Sequence, residues 1–366
     1  MRTDNRFGLK HILRAAGFLL ITGILFVIFT YVFRNTTANQ RRLVLSYQLE
    51  EKNTLDVVAI GASSTYRYWD PMRAWESEGI TSFAYTCASM RAVMMETAIR
   101  EVLRTQNPRL IMIDGRRFLD KKVNDTAETV RFYLDSLDIG VNRLRAVQEY
   151  CSLYDLTPAQ TVAMHLDLCL YHNNSEAIAD PLNWKLWDNR ADVEDLSPFY
   201  IKGYGFGGKV KKMKRPAGAE TENCSALSER TEQMFRSLME YCSGLEQDVM
   251  VVISPFIVKE KDMEDLNTLE KIAAEYGIPF WNGNRYFDEI GVDFDTDFYN
   301  ANHMNLIGAE RYTDYLSAYI KEQYDLPDHR GEERYSSWDE WMATYEKRRE
   351  TILKRLEKRI RKLNRK

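Results

Sequence analysis

Hydrophobic residues are distributed along the chain in three ways. From Ala15 to Phe33 the chain runs 19 residues without a charge; as a helix it spans about 28 Å, close to the thickness of a bilayer core. It is apolar all round, so it lacks the polar face of a helix on a protein surface. Arg2, Arg6, Lys10 and Arg14 precede it, and Arg34, Arg41 and Arg42 follow. This small bias favours a cytoplasmic N-terminus. A cleaved signal peptide is the alternative, although no small-x-small site follows the run; a buried core helix is a third. Asn35 to Asn53 is polar, without Pro or Gly, and predicts a helical stalk.

From Leu55 an alternation of strands and helices begins. Leu55–Ile60 is a short apolar run, the pattern of a strand buried on both faces. Ile80–Tyr85 predicts a second strand after the turn signal at Gly79. Ser89–Thr105 has helical apolar spacing through Met90, Val93, Met94, Ala98 and Leu103, Pro108 ends it, and Arg109–Ile113 is a third strand. This spacing implies a right-handed βαβ unit and a parallel sheet. Farther on, Ser225–Ser243 is helical, Asp248–Ile253 is a fourth strand, Leu266–Tyr276 is a helix capped by Gly277, Ile278–Trp281 is a fifth strand, and Leu306–Tyr319 is the last helix of the domain.

The rhythm breaks between Asp120 and Pro216, where helical patches at Val141–Tyr154 and Pro158–Tyr171 precede an aromatic-rich run, Trp184 to Tyr204. This predicts an insertion that covers the sheet edge. Its Trp184, Trp187, Phe199 and Tyr200 either stack on sugar rings or form a small hydrophobic subcore. The glycines of Gly203 to Lys209 are not followed by a helix with Lys-Ser or Lys-Thr, which excludes a phosphate loop and leaves a flexible loop with a basic tail, Lys209 to Arg215. Leu326 to Gly331 ends the domain, and Trp338 to Lys366 is a final helix with Ile352, Leu356, Ile360 and Leu363 on one stripe.

At 366 residues the chain holds one large or two modest domains. Its net charge of −4 is uneven, because Tyr345 to Lys366 carries a net +8 and the rest −12. A nucleic-acid binder would carry its basic footprint on the folded domain, so that class is excluded. The basic helix either lies on an anionic membrane or an acidic polymer, or is a solvated charged face. Cys87, Cys151, Cys169, Cys224 and Cys242 are odd in number and widely spaced, with no zinc pattern, and read mostly as buried small hydrophobes.

Candidate chemistry lies at two places. Gly61-Ala62-Ser63-Ser64 follows the first strand, which puts a serine at the carboxyl edge of the sheet, where open α/β sheets bind ligands. The plainer alternative is a Ser-rich turn. Asp297 to Ala309 reads DFYNANHMNLIGA and sets His303, one of five histidines, in the loop ahead of the last helix. Ser63 and His303 together would supply the nucleophile and base of acyl transfer.

Gly-Ala-Ser-Ser after the first strand, with a late His-x-Asn-x-x-Gly-Ala, resembles the SGNH/GDSL hydrolases over about residues 55–325. It is most similar to their membrane-anchored DltD-like and alginate-acetylation-protein-like branch. The resemblance implies a flavodoxin-like three-layer α/β fold with a five-stranded parallel sheet, Ser63 as nucleophile and His303 as base. The family aspartate falls three residues before the histidine, at Asn300 here. Asp297 (with Asp295 a weaker candidate) would have to fold back to replace it; otherwise the site runs as a Ser-His dyad oriented by Asn300 or a backbone carbonyl, or is inactive. The Ser63 N–H and a backbone N–H near Cys87 are the oxyanion donors to expect. Arg116 either attracts an anionic substrate or pairs with Asp114. Ser64 is a rival nucleophile if the strand end shifts by one residue. Tyr66, Tyr68 and Asp70 line the pocket or pack at a helix start.

The function implied is an extracytoplasmic esterase or O-acyltransferase acting on acyl esters of cell-envelope polysaccharide, beside a membrane-bound O-acyltransferase. That chemistry calls for no metal or organic cofactor. The alternatives are a decayed SGNH scaffold that binds glycan or organises the acyltransferase, and a cytosolic flavodoxin-like domain. The expected organisation is a cytoplasmic N-terminus at 1–14, a transmembrane helix at 15–33, a stalk at 34–54, the domain at 55–325 with an insertion at about 120–216, and a basic helical tail at 326–366. Protease added to right-side-out vesicles should digest residues 50–366; their protection would refute an external domain.

Overall fold

The computed structural model describes residues 8–33, 38–119, 125–138, 140–165 and 200–365. The chain forms two compact units, one of Met1–Ala38 with Val147–Ala191 and one of Asn39–Ala146 with Asp192–Lys366. The first contains the Leu9–Phe33 helix, within which Lys10–Phe29 is long and apolar enough to cross a membrane. A signal sequence meets the same description. The aromatic candidates Trp184, Trp187 and Phe199 lie outside the described residues, as does the side chain of Tyr200.

The second unit is built on five parallel strands, β1 (Val57–Gly61), β2 (Ser82–Thr86), β3 (Leu110–Asp114), β4 (Asp248–Ile253) and β5 (Phe280–Asn282), in the order β2-β1-β3-β4-β5. Val57 stands opposite both Ser82 and Leu110. Both faces are covered. Val57, Ala59, Leu110, Met112 and Met250 pack with Tyr312, Leu316 and Ile320 of the Leu306–Tyr324 helix, and the alternate residues Val58, Ile60, Ile111, Ile113 and Val251 are buried too. Two-sided burial is why these strands read as unbroken apolar runs. The order reverses at β1, so the crevice above β1 and β3 is the topological switch point at which doubly wound sheets place ligands.

Three expected appendages belong to this unit instead. The proposed stalk contains the helix Ala38–Gln48, whose Leu43, Val44, Leu45 and Tyr47 are buried, with the Tyr47 ring 5.1 Å from Phe83 and its hydroxyl donating to Val102 O at 2.9 Å. An apolar face of that size draws the segment onto the sheet. The Gly203–Arg215 stretch is not a flexible loop. Tyr200–Ile201 and Tyr204–Gly205 form a hairpin on the β2 edge, where Ala84 N–H donates to Lys202 O, and Lys211 and Met213 N–H donate to Phe298 and Phe294 O. At Gly203 (φ +84°) a Cβ would lie 2.1 Å from Ala84 O, so only glycine permits the approach. The C-terminal helix, Ser336–Leu363, docks by Trp338, Tyr345 and Leu356, with Trp338 5.3 Å from Trp75.

Asp70 ties that helix to the core. Its carboxylate caps the Pro71–Glu78 helix through Met72 and Arg73 N–H and accepts the Tyr345 hydroxyl at 2.9 Å. Burial pushes the carboxyl up to about 7, against the hydrogen bonds that favour the anion. An unfolded aspartate ionises near pH 4. The stability held while both states are protonated is therefore lost as pH rises through about 7. Asparagine caps as well as aspartate and does not titrate. Urea unfolding across pH should show wild type losing roughly 2–4 kcal/mol relative to Asp70→Asn between about pH 4 and pH 7, and no further divergence above.

Candidate active site

β1 ends at Gly61, where a Cβ would stand 2.1 Å from Thr65 Oγ1 and 2.5 Å from Asp114 Cβ. Glycine lets the chain leave the sheet this close to β3. Ala62 then starts a helical turn, its carbonyl accepting from Thr65 and Tyr66 N–H at 2.8 and 3.1 Å, and Ser63 takes the first position, half-buried. An N–H at the start of a turn has no carbonyl behind it in helical register, so the Ser63 N–H is available to a ligand oxygen.

His303 arrives from the other end of the unit. Phe298–Asn300 and His303–Met304 pair antiparallel, with Asn300 opposite His303. Asn300 Oδ1 accepts the Asn302 N–H at 2.8 Å, closing an Asx turn. That acceptance identifies the atom as oxygen. His303 therefore donates from Nδ1, 3.0 Å away, and presents Nε2 as an acceptor 2.8 Å from Ser63 Oγ. Asn305 secures the exit: its N–H donates to Asp297 O at 2.8 Å, its Nδ2 to Thr296 O at 2.6 Å, and its Oδ1 caps the Leu306–Tyr324 helix. Ser63, His303 and Asn300 thus form a continuous hydroxyl–imidazole–carboxamide row.

The other sequence candidates lie elsewhere. Asp297 does not reach the imidazole; its buried carboxylate accepts from Asp293 N–H and Thr296 Oγ1, both at 2.9 Å, with Arg311 Nε at 3.5 Å, and burial raises its pKa. It braces the preceding turn. Asp295 is exposed and pairs with Lys212 at 3.1 Å. Ser64 is no rival nucleophile, since it is 3 % exposed and turned inward to donate to Asp114. The Cys87 N–H is occupied by Gly61 O at 3.1 Å and cannot serve an oxyanion; its thiol is buried and pushed well above its ordinary pKa by that burial. The guanidinium that approaches the Asp114 carboxylate is that of Arg117, Nε at 3.4 Å; Arg116 gives Asp114 its backbone N–H at 3.1 Å and turns its buried guanidinium toward Ser254 and Asn302. Arg116 is therefore closed to an anionic substrate. Tyr66 is half-buried three residues after Ser63, its phenol pKa raised by burial.

Arg67, Tyr299 and Lys209 were not anticipated. The Arg67 guanidinium lies 5.4 Å from the ring centres of both Tyr66 and Tyr299 and donates to Gly205 and Phe206 carbonyls, which ties the Gly-rich stretch to the site. Lys209 Nζ is 5.2 Å from the Tyr299 ring. Tyr299 adjoins Asn300 and Arg67 follows Tyr66, but nothing in either neighbourhood signals a cation between two rings. Among the described residues no cluster of three His, Cys, Asp or Glu could hold a metal ion. No protein-family model, curated protein or solved structure matches the chain.

Chemically, the row can pass a proton from Ser63 to Nε2 while Nδ1 stays fixed. A carboxamide orients the ring as a carboxylate would but adds no charge to stabilise an imidazolium. The geometry depends on the strand exit at Gly61. A Gly61→Ala variant should lose about 1–3 kcal/mol of stability in urea unfolding, because neither Thr65 nor the Asp114 Cβ can retreat without moving the site.

Proposed function

We propose that the protein is a membrane-anchored, extracytoplasmic SGNH-type esterase or O-acyltransferase acting on acyl esters of cell-envelope polysaccharide through Ser63 and His303. The observation that carries this is the 2.8 Å contact between Ser63 Oγ and His303 Nε2, with Nδ1 held by Asn300. Position supports it as well, since the pair stands above β1 at the switch point of a doubly wound sheet.

In the first step the Ser63 proton moves to Nε2 as Oγ attacks the ester carbonyl carbon. The oxyanion that forms is within the province of the Ser63 N–H. The ester C–O bond then breaks, the departing alcohol takes the proton from Nε2, and the acyl group remains on Ser63. Water or a polysaccharide hydroxyl attacks that acyl-enzyme with His303 again as base, which gives hydrolysis or transfer. A membrane-bound O-acyltransferase as partner, and an apolar N-terminal helix as anchor, fit a transferase that works on an exported polymer.

Asn300 favours one second reading: a decayed scaffold that binds glycan or organises the acyltransferase. Replacing the triad aspartate by asparagine costs on the order of 10⁴ in turnover in the serine-protease template. A fluorophosphonate probe separates the two. It should label full-length wild type and not Ser63→Ala; an unlabelled wild type, with envelope acylation intact in a Ser63→Ala strain, would establish the scaffold. In the enzyme, Asn300→Asp should raise turnover of a small ester roughly 10- to 100-fold, by returning a charge beside the imidazole.

A further inference from the structure

Under the His303 loop two buried side chains converge on one carbonyl oxygen. Arg116 Nη1 stands 3.1 Å from Asn302 O, and Tyr68 Oη stands 3.0 Å from it. Arg116 is 1 % exposed and Tyr68 0 %. Neither is free to wander. Arg116 also meets Ser254 Oγ at 3.3 Å and lies over the Phe256 ring at 4.0 Å, and Tyr68 packs edge-on to Tyr312 at 5.6 Å. Arg116 Nε makes no hydrogen bond. Its Nη1, by contrast, is engaged by both Asn302 O and Ser254 Oγ.

Asn302 is the hinge of the Asx turn. Its N–H is on Asn300 Oδ1 and its carbonyl is on Arg116 and Tyr68, so the residue is held from both sides. This matters because Asn300 is a carboxamide. A carboxylate presents an acceptor whichever way it is turned; a carboxamide presents either an acceptor or a donor. While Asn302 N–H occupies Oδ1, the oxygen faces His303 Nδ1. If Asn302 shifts so that its N–H leaves Oδ1, the amide can turn over and offer NH₂ to the ring. Nδ1 then has to accept, the ring proton moves to Nε2, and a donor faces Ser63. In that tautomer the imidazole cannot take the serine proton.

We propose that Arg116 and Tyr68 are positioning residues that, through the Asn302 carbonyl, hold the Asn300 carboxamide in the orientation that keeps His303 in its base-competent tautomer. The functional consequence rests on the Ser63–His303 esterase of the preceding subsection; the tautomer itself does not.

The test uses the full-length chain in detergent micelles with ¹⁵N-labelled histidine, the His303 signals being assigned by their loss in His303→Gln. Wild type should show the Nδ1–H tautomer alone. Tyr68→Phe, which removes one oxygen from the core, should show a mixture of tautomers. Arg116→Met should shift it further, and Arg116→Lys should restore part of the wild-type signature. On a small acyl ester, kcat should fall about 10-fold in Tyr68→Phe with KM unchanged. In an Asn300→Asp background, whose carboxylate has no wrong face, the same substitution should cost less than about twofold. A pure Nδ1–H signature in Tyr68→Phe overturns the proposal, and this variant decides it if Arg116→Met fails to fold. A tautomer shift in Tyr68→Phe, when the wild-type protein neither turns over esters nor takes the phosphonate label, supports the lock and overturns the esterase instead.

Discussion

A neutral amide, Asn300, sits where the imidazole needs an acceptor, and that single contact sets the demands on everything around it. His303 Nδ1 meets Asn300 Oδ1 at 3.0 Å, and this contact sets Nε2 to accept from Ser63. The amide oxygen must therefore be aimed, and the fold aims it locally: an Asx turn closes on Asn302, a two-strand pairing sets Asn300 opposite His303, and Asn305 anchors the exit to Asp297 and to the start of the last domain helix. Asp297, one of the alternatives for the carboxylate that the SGNH resemblance implies, instead stabilises the turn that carries the loop.

Why the serine meets this loop is a matter of sheet burial. Strands covered on both faces have polar groups only at their ends, so chemistry is confined to the edge where the chain leaves. At that edge Gly61 brings Ser63 beside the end of β3, and Ser64, Asp114 and Ser254 interlock behind it. The Ser63–His303 bond joins positions 240 residues apart, and it survives because each partner is held by its own backbone rather than by the other. The Ala38–Gln48 helix, the hairpin on β2 and the C-terminal helix close the remaining sides.

A dyad with an amide orienter is modest machinery. It can position and shuttle a proton, but the group 3.0 Å from His303 Nδ1 is a neutral carboxamide, which stabilises an imidazolium less than a carboxylate does. On the proposed reading, a slow transferase whose acceptor polymer is anchored at high effective concentration would tolerate this better than an enzyme selected for turnover. The proposed scaffold alternative draws on the same feature. The two differ only in whether the Ser63 hydroxyl ever becomes acylated.

Local physics alone set several features. The apolar N-terminal span, the five strands and the carboxyl-edge location of Ser63 follow from hydrophobic period and a glycine at a strand end, so they are legible in the order of residues. Asp248–Ile253 is a strand over the same residues in both, and the last domain helix starts at Leu306 in both. What could not be read concerns direction and partnership between distant segments. Whether Arg116 or Arg117 faces Asp114, whether Ser64 turns inward, whether Cys87 N–H is already occupied, and whether residues 38–48 and 336–363 stand free or pack all depend on which surfaces the folded chain presents to one another. A side chain's type is written in the sequence, but its hydrogen-bond partner is chosen by burial, because a polar group removed from water pairs with whatever the tertiary fold sets within reach.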